Sequence, residues 1–228
     1  GFLWFLLSEE ADAPTWSSAT GGLEVEHHTF VLRSGLTEVV EGGSRDTLQR
    51  EILPPYVAQR RWFQSKDDDI SDIRINAIDT LPGSDGEALF VELDVSVGDA
   101  VDRYALPLAV AWEDQPNHPF EAPLSLARVR RGRRVGLLTD AFASPMLAQA
   151  LIRGLKTAAE SELADGGRLV CRPTAAVASL DLPEDAEIEW PAAEQTNSTM
   201  IVGRKAVIKL FRRLTPGVHP EAAMNRAL

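Results

Sequence analysis

Two periodicities divide the chain. Alternating apolar residues, the mark of strands, run through Ile73 and Ile75, then Leu89, Val91, Leu93, Val95 and Val97, then Tyr104, Leu106, Leu108, Val110 and Trp112. Polar residues between them, such as Glu92, Asp94 and Ser96, predict an antiparallel sheet with one wet face. Residues 126–129 and 135–138 predict two more strands, with Gly132 in the turn and arginines at its tip. Helical spacing appears twice. Leu48, Ile52 and Leu53 follow Ser44 until Pro54-Pro55 breaks the pattern, and a second short helix can start on Pro55 and carry residues 56–61 into Trp62-Phe63. After Pro145, Leu147, Leu151 and Leu155 recur every four residues with Ala150 and Gly154 beside them, which predicts a helix packed on the sheet and ended by Gly166-Gly167.

The flanks carry weaker patterns. Residues 1–7, GFLWFLL, have strand composition but start abruptly, as a last strand would if its sheet lay upstream. Residues 8–27 are acidic and rich in Ser, Gly and Ala, which is linker composition. Phe30, Leu32 and Leu36 predict a strand and turn, residues 168–171 another strand, and residues 181–189 an acidic loop. The whole reads as α+β: an antiparallel-sheet subdomain with packed helices, then a second, smaller unit. An interior fragment of a longer chain is expected to look like this.

Composition narrows the function. With 228 residues, 44% hydrophobic and 25% charged, one sizeable core or two small ones can form in a soluble globular protein. A net charge of -11 opposes a polyanion, so no nucleic acid is expected as partner. No apolar run approaches the roughly 20 residues that span a bilayer, so no membrane is expected. The single cysteine, Cys171, cannot form an internal disulfide, which suits a cytoplasmic location.

The stretch QTNSTMIVGRKAVIKLFRR, residues 195–213, holds the chemistry. Residues 199–202 and 206–211 predict a hairpin turning at Gly203-Arg204. Alternation puts Lys209 on one face with Lys205, Val207 and Phe211, and Ala206, Ile208 and Leu210 on the other. A buried or half-buried ammonium there needs an anion. Gln195, Thr196, Asn197, Ser198 and Thr199 supply amides, hydroxyls and backbone N–H groups that can wrap phosphate oxygens. A polar loop feeding an edge hairpin with a solvated lysine explains the same residues. There is no GxGxxG.

Residues 194–221, EQTNSTMIVGRKAVIKLFRRLTPGVHPE, resemble the nucleotide-site motif of bacterial maltokinases, and residues 52–66, ILPPYVAQRRWFQSK, resemble the start of their cap subdomain. Residues 136–152, GLLTDAFASPMLAQALI, are similar to the segment that ends that cap. The resemblance implies a cap at residues 29–145 and, at 146–228, an intermediate helix and partial protein-kinase-like N-lobe. Residues 1–28 resemble the last strand and linker of a trehalose synthase β domain, since many bacteria fuse the two enzymes. The implied activity is transfer of the ATP γ-phosphoryl group to the anomeric hydroxyl of maltose in trehalose-to-glucan metabolism. Residues 195–199 would then lie over the nucleotide phosphates and Lys209 would pair with them, while the base and the Mg2+ ligands are expected in a C-terminal lobe beyond Leu228. The family glutamate that holds this lysine falls on Ala223, with Glu221 as its nearest substitute. Ala223 also supports an alternative, a non-catalytic kinase-like module that docks the fused synthase. Catalysis by these residues alone is not expected.

Other clusters read as structural. QRRWF at residues 59–63 predicts a helix end capping the sheet, or an arginine–aromatic platform. RRGRR at 130–134 predicts a solvated hairpin tip, and the acidic groups at 67–69 and 184–189 solvated charge. His27-His28 lacks further ligands at metal spacing, and Cys171 suits packing.

Overall fold

A computed structural model describes residues 28–65, 69–115, 124–163, 165–183, 186–190 and 198–217. The core is an eight-stranded mixed sheet. Its strands are β1 (Thr29–Leu32), β2 (Ile70–Thr80), β3 (Ala88–Val97), β4 (Ala100–Ala105), β5 (Leu108–Trp112), β6 (Ser125–Arg131), β7 (Arg134–Asp140) and β13 (Arg213–Leu214). The order is β1-β6-β7-β5-β3-β4-β13, with β2 on the other edge of β3. All pairs are antiparallel except β1 with β6, so the purely antiparallel expectation is corrected at one edge.

Alternation in β3 feeds two cores. Leu89, Val91, Leu93 and Val95 enter one with Leu48, Leu53, Val57, Trp62 and Phe63. Ala88 and the half-buried Phe90 face the other, with Ala109, Leu147, Ala150, Met200 and Val202. The sheet is therefore covered on both faces at its Ala88–Phe90 end, while further along β3 Glu92 and Asp94 meet Arg103 on the polar face that was expected. The run from Tyr104 to Trp112, expected as one strand, is bent at Leu106-Pro107. There β4 stops pairing with β3, and β5 goes on to pair with β7.

The double proline does not end a helix. α1 (Gly42–Thr47) passes through a π turn, Leu48–Ile52, into α2 (Leu53–Ala58). The N–H of Leu53 donates to Leu48 O, five residues back. This wider turn comes just before Pro54 and Pro55, which sit in the first turn of α2, where their missing N–H groups cost nothing.

α3 (Pro145–Lys156) is capped by Ser144, whose side chain accepts from Met146 N, and it packs on the sheet as expected. Its buried side is Leu147, Ala150 and Gly154, with Leu151 and Leu155 only half-buried. Small residues win because the loop after β2 lies against them: a Cβ on Gly154 would stand 3.2 Å from Pro82 O. The helix ends at Lys156, ten residues before Gly166, and β8 (Glu160–Glu162) pairs with β9 (Arg168–Val170). A short α4 (Ala175–Ala178) follows. Inside the expected acidic loop, β10 (Ile188–Glu189) joins β11 (Ser198–Val202) and β12 (Ala206–Leu210) in a three-stranded sheet. Among the described residues no helix is long and apolar enough to cross a membrane.

Two measurements test this architecture. Gly136 sits in β7 where an added Cβ would meet Ala111 O at 2.5 Å. Gly136→Ala is expected to destabilise the fold by about 1–3 kcal/mol in urea denaturation, and an unchanged midpoint would contradict the β5–β7 register. Glu38 accepts from the N–H groups of Arg33, Ser34 and Gly35 at 2.9, 2.5 and 3.3 Å, and these bonds lower its carboxyl from 4.5 to about 2. Because the folded value is depressed, its stabilisation is complete above pH 4.5 and is lost as pH falls towards 2. An NMR titration of the Glu38 carboxyl should find its midpoint near 2. A midpoint near 4.5 would show that these three bonds do not hold the carboxylate.

Candidate functional site

The hairpin forms where the sequence predicts it. Three residues, 203–205, connect the strands; Gly203 and Arg204 both take φ of 55°, and Lys205 N donates to Val202 O to close the turn. Thr199 faces Lys209 directly across the ladder and Ile201 faces Val207, so these four share one face. Cross-strand neighbours of this kind hold their Cβ atoms about 4.5–5.5 Å apart. The result is a hydroxyl beside an ammonium, with two aliphatic side chains next to them.

That face is the outer one. Lys209 is exposed and Val207 is 61% exposed, whereas Met200, Val202, Ile208 and Leu210 pack inward. Of the two readings left open by the sequence, the edge hairpin with an outward lysine is the one seen, and the buried or half-buried ammonium is corrected. Alternation assigns residues to faces, but both faces of β12 carry aliphatics, and only packing against α3 and the segment around Leu182 selects the inner one. Gln195, Thr196 and Asn197 lie outside the described residues, as do Glu221 and Ala223.

Ser198 is turned away from Lys209. It is 2% exposed, and its hydroxyl accepts from Arg212 Nε at 3.1 Å. Its side chain thus serves a buried cluster that sequence reasoning missed. Arg212 Nη2 meets Asp140 Oδ2 at 2.7 Å, with both side chains 1% exposed. Asp140, at the end of β7, also accepts from Phe142 N at 3.0 Å and from the Tyr56 hydroxyl at 3.4 Å. The Arg212 guanidinium lies 5.5 Å from the Trp62 ring and 5.7 Å from that of Phe142, and its backbone oxygen accepts from Ala105 N at 2.7 Å. Period two past the end of β12 puts Arg212 on the same side as Leu210, opposite Lys209. The only sequence signals were an aspartate closing an apolar strand before AFA and the arginine pair after the lysine.

RRGRR and QRRWF are engaged within the fold. Arg131 and Arg134 of RRGRR stack on Trp112 at 5.0 and 4.5 Å, and Arg134 holds Asp114 through two bonds of 2.8 and 2.9 Å that keep the Asp114 carboxyl below its usual range. In QRRWF, Trp62 and Phe63 are buried against Tyr104, as a helix end capping the sheet should be, and Arg60 lies 4.4 Å from the Tyr56 ring. Cys171 is half-buried, and burial raises its thiol pKa. Among the described residues no three His, Cys, Asp or Glu side chains gather to hold a metal ion.

A mixed α+β module with an aromatic-lined sheet, joined to an exposed-lysine hairpin through one buried ion pair, is therefore the class of structure at hand. A family model described as the maltokinase N-terminal cap domain matches residues 56–143. Over that stretch the chain is similar to the maltokinase cap domain.

The Arg212–Asp140 pair carries a stability prediction. Asp140→Ala strands a buried guanidinium, so denaturation of the 228-residue chain should show a loss of about 3–5 kcal/mol. Replacing the pair with Asp140→Leu and Arg212→Met together should cost much less than Asp140→Ala alone. A single-variant loss below about 1 kcal/mol would remove the pair from its structural role.

Proposed function

We propose that the chain is the N-terminal part of a maltokinase that transfers the ATP γ-phosphoryl group to the anomeric hydroxyl of maltose, giving maltose 1-phosphate. In this reading residues 29–145 are the cap and residues 146–228 the intermediate helix and the start of a kinase-like N-lobe. Residues 1–28 are the end of a fused trehalose synthase, which would supply the maltose. The observation that carries it is the pairing of Thr199 with Lys209 on the exposed face of a hairpin fastened to a maltokinase cap.

The chemistry of that face suits a nucleoside triphosphate. An ammonium beside a hydroxyl can neutralise and bond phosphate oxygens, and Ile201 and Val207 offer apolar contact to a base. Gln195, Thr196 and Asn197 complete the phosphate loop in this reading, with Ser198 contributing its backbone alone. The magnesium ligands of this reading are not among the described residues, where no cluster of acidic side chains gathers to hold the ion. Ala223, at the position expected to hold a lysine-binding glutamate, is the feature that favours a non-catalytic docking module instead.

Lys209→Ala in the full-length parent is the deciding variant. Formation of maltose 1-phosphate from ATP and maltose should fall at least about 100-fold in kcat, with folding preserved because the side chain is exposed. Unchanged turnover would remove Lys209 from the site. A parent that binds the synthase yet shows no turnover with any Lys209 variant or the wild type would favour the docking module.

A further inference from the structure

A second site lies behind the hairpin, on the side away from Lys209. A cavity of about 290 Å3 opens between α3 and the inner face of the three-stranded sheet. Leu182, Ile188 and Val202 form its apolar wall, and Gln149, Arg153 and Lys156 its polar one. The polar wall is a consequence of helix geometry. Ala150 and Gly154 take the close-packed side of α3 against Pro82 and Gly83, which leaves residues 149, 153 and 156, spaced four and three apart, on the adjoining stripe.

Arg153 is incompletely satisfied there. Its Nη1 reaches Asp85 at 3.5 Å, but Asp85 is 85% exposed, and a pair of that kind holds an arginine weakly. Its Nε is buried and has no acceptor. Because Nε is shielded from solvent, a ligand in the cavity meets the outer part of the guanidinium, on a side chain that is 40% exposed and held by that one weak pair. The helix carbonyls close by do not repel such a ligand unopposed, because Arg153 O and Gly154 O accept from Thr157 and Ala159. The volume is at the lower end of ligand pockets, roughly 300–1,000 Å3, and admits a single ring or a short chain.

We propose that this cavity binds a small amphipathic organic anion, with its anionic group on Arg153 and Lys156 and its apolar body against Leu182, Ile188 and Val202. The site is separate from the nucleotide reading, since Lys209 points the other way. It touches the same sheet, so an occupant stabilises the hairpin from behind.

Titration of the 228-residue chain, followed by NMR shifts and calorimetry, tests this with phenyl phosphate, benzoate and phenol as probes. One of the two anions should bind with a Kd of about 1 mM or tighter and shift Ile188 and Val202, and the tighter of the two identifies phosphate or carboxylate as the group recognised. Phenol should bind at least about tenfold more weakly, and Arg153→Gln, which keeps much of the stem, should weaken the anion at least about tenfold. Lys156→Gln should weaken it less, and Lys209→Ala should leave it unchanged. Equal affinity for phenol, unchanged binding in Arg153→Gln, shifts confined to the Lys209 face, or no binding of either anion would each overturn the proposal. Failure of this site leaves the maltose kinase assay untouched, so the two readings fail separately.

Discussion

The ion pair between Arg212 and Asp140 is the constraint on which the arrangement of the two sheets depends. Two charges at 1% exposure have given up their hydration, so each is tolerable only while the other is in place. The structure surrounds them with further bonds: Ser198 and Ala105 oxygens accept from the guanidinium, and Phe142 N and Tyr56 donate to the carboxylate. The chain then continues straight into β13, which pairs with β4, and Arg213 reaches Asp102 at 2.6 Å. Three residues beyond Lys209 the backbone is therefore fixed to the larger sheet. The lysine itself stands outward on a strand whose exit is pinned.

The two faces of β11 and β12 follow from this anchoring. Once Arg212 is drawn inward, period two carries Leu210, Ile208 and Ala206 inward with it, and Met200, Val202 and Ser198 opposite them. Thr199, Ile201, Val207 and Lys209 have nowhere to go but out. An exposed Val207 is otherwise an unfavourable choice on such a strand, and its position next to Lys209 is what gives that face a mixed apolar and cationic character.

Much of the fold was legible because β3, α3 and the final hairpin have strong, uninterrupted periods, and Gly203 supplies the positive φ with which the turn opens. Other features depend on partners distant in sequence. Nothing local in Thr29–Leu32 says that it pairs in parallel with Arg128 and its neighbours, and nothing local in Arg213–Leu214 says that it joins β4. Pro54-Pro55 reads as a break because the rule concerns an α-helix, and a π turn just upstream evades it. At the candidate site, sequence placed Lys209 on the face opposite Ile208 and Leu210 but left open whether that face is buried or solvated, and the register with Thr199 came only from the structure. Sequence missed Arg212 altogether, since a surface arginine and one paired at 2.7 Å inside a core look identical in one dimension.

The span of the family match sharpens the role of Arg212. Trp62, Ala105, Asp140 and Phe142, which contact its guanidinium, all fall within residues 56–143, while Arg212 and its neighbour Ser198 fall outside. The matched segment thus contains a carboxylate, a carbonyl and two aromatic rings arranged around a cation it does not itself supply. Without the segment that bears Arg212, Asp140 loses both the counter-ion it meets at 2.7 Å and the cover that segment gives it. β1 before the match and β13 after it complete the same sheet at its two ends. The folded unit is therefore larger than the matched one, and the hairpin bearing Lys209 is the piece whose arrival closes it.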